Sequence, residues 1–147
     1  MFDQQNCFTV QATTGVWTQA LTTDAVSTNV IDIEAANLKF NNPSKPMYLI
    51  VKVTVTGISI TTSLQVKLEN SAAAAMSSLK NIMTRNIAAA SLTAGALIFN
   101  DVIPVGIYLQ YMRLDFDMVG GDGTCTVFGA LSDSPESAST IIASIEA

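Results

Sequence analysis

Apolar and polar positions alternate through the centre and the C-terminal third of this chain. From Met47 to Thr56, the side chains of Met47, Leu49, Val51, Val53 and Val55 fall on one side of an extended backbone. From Ser63 to Asn70, Leu64, Val66 and Leu68 alternate with Gln65, Lys67 and Glu69. Between Tyr108 and Val119 the same period sets Gln110, Met112, Leu114, Phe116 and Met118 against Tyr111, Arg113, Asp115 and Asp117. Successive side chains of a strand point to opposite faces, so this period predicts half-buried β-strands.

Weaker signals fill in the rest. Asp24 to Ile33 reads as a first strand, and Asn41-Asn42-Pro43-Ser44-Lys45-Pro46 as a turn before the strand that opens at Met47. Leu92 to Gly95 forms another turn signal, followed by a short apolar strand from Ala96 to Phe99. Gly120-Gly121-Asp122-Gly123 supplies positive-φ positions for a tight hairpin, with Thr124 to Leu131 returning as the partner of the strand before it. Residues 71–83 admit two readings. Met76, Leu79 and Met83 recur at helical spacing, yet the segment equally fits a loop and an edge strand. No βαβ alternation and no internal repeat is visible. The expected fold is all-β, an antiparallel β-sandwich of jelly-roll type. Residues 1–23 are expected as an N-terminal arm, 24–132 as the sandwich and 133–147 as a C-terminal tail.

Composition narrows the function classes. The 147 residues suffice for one domain with a proper core. Charged residues make up 13%, against about 25% in ordinary soluble domains. Mean hydropathy is +0.39, so much of the exterior lacks the charge that keeps surfaces apart. No stretch approaches the roughly 20 apolar residues of a spanning helix, and aromatics do not bracket the strands as in a membrane barrel. The first residues carry no basic-then-apolar export signal, so synthesis in a cytoplasm is expected. A formal net charge of −5, with seven scattered basic residues, speaks against nucleic acid as a partner.

The chain is poor in chemistry. There is no histidine, which removes the commonest general base and metal ligand. Asp115 and Asp117 share a strand face, but acid–base pairs normally oppose one another across a cleft. Those two with Asp122 could supply oxygens to a calcium ion, although the segment lacks the ligand series of an EF-hand. A solvated face, neutralised by Arg113 or a cross-strand lysine, is the expectation. No enzymatic activity and no cofactor are expected. Cys7 and Cys125 share no metal-ligand spacing and are expected as two separate reduced thiols. Phe2, Phe8 and Trp17 could anchor in a neighbouring subunit or fold back onto their own sandwich. Ile141, Ile142 and Ile145 in the tail pose the same choice, either a strap onto another chain or docking on the body.

Three stretches carry a resemblance. Ala25 to Asp32, then Lys45-Pro46-Met47-Tyr48-Leu49-Ile50-Val51-Lys52-Val53, then Ile103-Pro104-Val105-Gly106 with Tyr111-Met112-Arg113-Leu114-Asp115-Phe116, follow in order between Asp24 and Leu131. This series resembles the cement, or decoration, proteins of tailed-bacteriophage capsids. Both terminal extensions and the alanine-rich middle lie outside the likeness. The resemblance implies a jelly roll on the outer surface of the virion, bound to the major capsid protein and to itself as a homodimer or homotrimer. Its implied task is to span junctions between capsid subunits. The alternative is a carbohydrate-binding or adhesive β-sandwich module of a phage fibre or cell surface, for which an exposed Trp17 would be the sign.

Overall fold

In the computed structural model, residues 6–10, 17–34, 46–105 and 108–133 are described. The alternating segments become the long strands β4 (Tyr48–Ile58), β5 (Ser63–Ser71), β8 (Tyr111–Val119) and β9 (Thr124–Ser132). β6 (Lys80–Ala88) matches β5, β8 and β9 in length, and shorter strands complete the set: β1 (Gln19–Leu21), β2 (Ala25–Val26), β3 (Ile31–Asp32) and β7 (Leu97–Val102). They form two antiparallel sheets. One has the order β1-β9-β4-β7, and the other β2-β8-β5-β6, with β3 also on β8. Most connections therefore cross from one sheet to the other, which is the jelly-roll arrangement.

The core lies between the sheets. Leu49, Val51 and Val53 of β4 and Val127 and Leu131 of β9 meet Leu64, Val66 and Leu68 of β5 and Met112, Leu114 and Phe116 of β8. These inner rows are the ones the alternation marked. Gly129 sits in the inner row of β9, where a Cβ would lie 2.6 Å from Cδ1 of Leu114. The missing side chain lets Leu114 and Phe8 fill that space.

Three sequence expectations are corrected, and one open choice is decided. The glycine turn at 120–123 does not close a hairpin: β8 pairs with β5, and β9 pairs with β4. Gly120 (φ +88°) and Gly121 (φ +147°) let the chain reverse tightly, but β9 then faces β8 across the core instead of bonding beside it. A glycine turn reports the reversal and not the sheet that receives the returning strand. Residues 71–83 take the loop-and-edge-strand option. Met76 (φ 53°) sits in a turn, and β6 then covers the open edge of β5 along Ser63 to Asn70. Ladder donors and acceptors need partners, and that need outweighs local helix propensity.

The expected strand from Asp24 to Ile33 is split. β2 pairs with β8 at Ala25↔Phe116 and β3 at Ile31↔Met112; between them Ser27 stays bonded to Leu114 of β8, while Thr28 and Asn29 turn their N–H groups to Gln19 Oε1 and the Phe8 carbonyl. Leu114 N–H donates to Ser27 Oγ (3.0 Å), and Ser27 Oγ–H donates to the Asn29 carbonyl (2.9 Å). Short polar side chains offer the backbone such local alternatives to a ladder.

The third correction concerns the described residues of the expected arm at 1–23. β1 pairs with β9, Cys7 bridges to Ala130, and Phe8 is fully buried in the main core. Asn29 Nδ2–H donates to the Cys7 carbonyl (2.8 Å), and Thr28 Oγ1–H to the Val10 carbonyl (3.1 Å). The split between β2 and β3 thus clasps residues 7–10 to the body. Phe2, Ile141, Ile142 and Ile145 lie outside the described residues.

Candidate functional site

Each sheet has an outer face, and the two differ in chemistry. On the β5–β8 face, register places Lys67 opposite Asp115 and Glu69 opposite Arg113. Lys67 Nζ lies 3.1 Å from Asp115 Oδ2 and 3.8 Å from Asp117 Oδ2. Arg113 Nε donates to Glu69 Oε2 at 3.0 Å, with both side chains mostly buried. The Lys67 ammonium is held above its ordinary range, chiefly by the hydrogen bond to Asp115 and then by the charges of Asp115, Asp117 and Glu69, with burial opposing. The expected neutralisation of Asp115 and Asp117 is met by Lys67.

Those carboxylates lie side by side on one outer sheet face, both against Lys67. Asp101, a third carboxylate, sits on β7 in the other sheet and pairs with Arg85 at 2.9 Å. Asp122 Oδ1 accepts from Thr23 Oγ1 at 3.0 Å. Among the described residues no three acidic, histidine or cysteine side chains gather as a metal cluster. Cys7 and Cys125 are both buried and are not joined in a disulfide, and burial pushes the Cys125 thiol up to about 11. Cys7 belongs to the outer cluster of its sheet and Cys125 to the inner core.

The β4–β9 face is different. Its outer rows comprise Tyr48, Ile50, Lys52 and Thr54 of β4, Thr126, Phe128, Ala130 and Ser132 of β9, and Leu97, Asn100 and Val102 of β7. Lys52 is the only charge among them. At the centre, Ile50, Phe128 and Ala130 form a second apolar cluster with Cys7 and Val10, and Trp17 packs half-buried against it. Of the sequence-named aromatics, Trp17 therefore lies on this face and Phe8 inside the core. Further along the strand, a β-bulge between Val53 and Val55 breaks the alternation. Val55, expected with the inward row, is instead 55% exposed, and Ile58 beyond it is 61% exposed. Sequence reasoning missed Val55 because one extra residue in the ladder turns it outward, and a second register shift between Val55 and Ile58 then sets Ile58 opposite Thr124, again on the outer row.

Arg85 links the edge strands β6 and β7, alongside Ile82, Met83 and Ile87 of β6 that pack against the core. Arg85 stands 4.8 Å over the Phe99 ring and donates to the Ile98 carbonyl at 2.9 Å, besides its ion pair with Asp101. The guanidinium joins one sheet to the other.

At one end of the sandwich four crossovers meet: residues 22–24, 59–62, 89–96 and 120–123. Thr62 N–H donates to the Val119 carbonyl, Ala89 N–H to that of Thr62, and Gly57 N–H to that of Leu92. Gly123 fits so closely that a Cβ there would lie 2.5 Å from the Ile58 carbonyl oxygen.

None of the curated proteins matches this chain. A family model described as Bbp16 matches residues 16–132, a span that contains every strand from β1 to β9. The chain therefore belongs to the phage-associated Bbp16 family.

Proposed function

We propose that the chain is a structural protein of a phage head, bound to the outer surface of the shell and stabilising contacts between major capsid subunits. The observation that carries this reading is the inequality of the two outer faces. One sheet is finished for water by cross-strand ion pairs; the other bears a single charge on the rows of β4, β7 and β9. The centre of that face is already covered by the chain's own Cys7, Val10 and Trp17, and the uncharged margin left exposed, with Leu97 and Val102, suits burial against other chains. The family's association with phage supports the setting. Each copy adds apolar contact at about 25 cal/mol per Å² of area removed from water, and repetition over a symmetric shell multiplies the gain. Association of the chain with itself, as a dimer or trimer, belongs to the same reading.

Trp17 is half-buried against the chain's own outer cluster, so the sugar-binding alternative draws no support from it. The test is to mix purified protein with phage heads that lack it, sediment them, and image the particles. Regular density on the outer surface and a raised shell melting temperature are expected. Heads that sediment bare at saturating protein would refute the proposal.

A further inference from the structure

The crossover end has a composition of its own. Across residues 22–24, 57–62, 89–96 and 119–124 the charged side chains are Asp24 and Asp122, with no lysine or arginine. Both carboxylates are held in place. Asp24 Oδ1 accepts from Met118 N–H at 2.7 Å, and Asp122 Oδ1 accepts from Thr23 Oγ1. Around them Val55, Ile58 and Val119 are exposed. Threonine and serine supply the remaining polarity, at Thr22, Thr61, Thr62, Ser91 and Thr93.

We infer that this end is the surface that meets the shell, and that its partner there is a protein surface with an apolar centre and a lysine- or arginine-bearing rim. The inference rests on the head-binding reading above. Exposed aliphatic side chains on a stiff set of crossovers need little ordering when a partner covers them, which favours tight contact. Two fixed carboxylates without a local cation attract a basic rim and steer its approach. A second copy docking through the same end would set Asp24 and Asp122 against their own likes, which opposes self-pairing there. The opposite end carries both signs, with Asp32, Glu34 and Lys80, and offers no such preference.

The experiment is a binding isotherm on phage heads that lack this protein, read by co-sedimentation. Ile58→Asp and Val119→Asp each replace an exposed side chain, so folding should persist, and a far-UV spectrum checks it. Each should bind about tenfold more weakly. Asp24→Asn with Asp122→Asn keeps both accepting oxygens and should bind about threefold more weakly at low salt. That gap should close by about 0.5 M salt, where screening reaches contact range. Leu79→Asp, an exposed side chain beside the start of β6, away from the crossovers and off the charge-poor face, should bind as wild type. If wild type binds while both aspartate variants match it, this end is not the contact and the head-binding reading survives. If wild type fails to bind, both fall. Should Ile58→Asp abolish self-association and leave head binding intact, the occupant is a second copy and the inference is overturned.

Discussion

The two outer faces of this sandwich are built on strands of similar length, yet they solve exposure in opposite ways. On β5 and β8 every second residue is polar, and opposite charges stand in register, so the face is complete in water. On β4 and β9 the outer rows are aliphatic or aromatic at the centre, and the chain's own residues 7–10 and Trp17 pack against them. Charge on a sheet face makes it self-sufficient; a lack of charge makes it depend on whatever else can be brought to it. That difference explains how a chain with 13% charged residues can still have one well-solvated side.

The comparison can be broken by removing what each face relies on. The largest effect is expected on the apolar side. Phe128→Ala should destabilise the fold by about 3–5 kcal/mol, because the ring is buried on the outside of its sheet as fully as a core residue. Urea unfolding measures this, and a loss below about 1 kcal/mol would mean the second cluster contributes little to folding. On the ionic side, Glu69→Ala leaves Arg113 mostly buried without its carboxylate and should cost about 1–3 kcal/mol. The double variant with Arg113→Ala should lose less than the sum of the singles in a mutant cycle.

Arg85→Ala tests the closed edge between the faces. Loss of the ring contact, the Ile98 hydrogen bond and the half-exposed ion pair should cost about 1–2 kcal/mol. It should also speed amide exchange in β6 and β7 ahead of the central strands; uniform exchange across both sheets would contradict the role given to this residue.

The smallest effect concerns Lys67. Its folded-state pKa lies above the ordinary 10.5, so its ion pairing contributes fully below that value and is lost as pH rises through the folded value. Being partly exposed, the pair should be worth about 0.2–1 kcal/mol, less in high salt. Melting curves of wild type and Lys67→Met should converge in strong alkali and separate below pH 10.5. Equal melting at neutral pH and low salt would show that the contact contributes nothing.

Much of this was legible in advance, and the reasons for the rest are specific. The inner rows of β4 to Val53, of β5 and of β8 follow from alternation, since a one-residue slip would turn a whole apolar row to water. The ion-paired face followed from the same pattern, read on its polar side. Val55 escaped because a bulge leaves no mark in composition. The place of β9 escaped because Gly120 and Gly121 permit a tight reversal into either sheet. Phe8 and Trp17 could be weighed as anchors or as core, and only long-range partners could decide. Phe8 N–H donates to the Gly129 carbonyl, more than a hundred residues on.

Local pattern was thus enough to establish the strands, their buried sides, the all-β class and the shortage of charge, because each depends on neighbours two or three residues apart. Which sheet a strand joins, where the N-terminal residues lie, and which apolar side chains are left in water came from the assembled sandwich alone. Those outcomes are settled by competition among distant partners for the same ladder edges and the same core volume, and no short window of residues contains that contest.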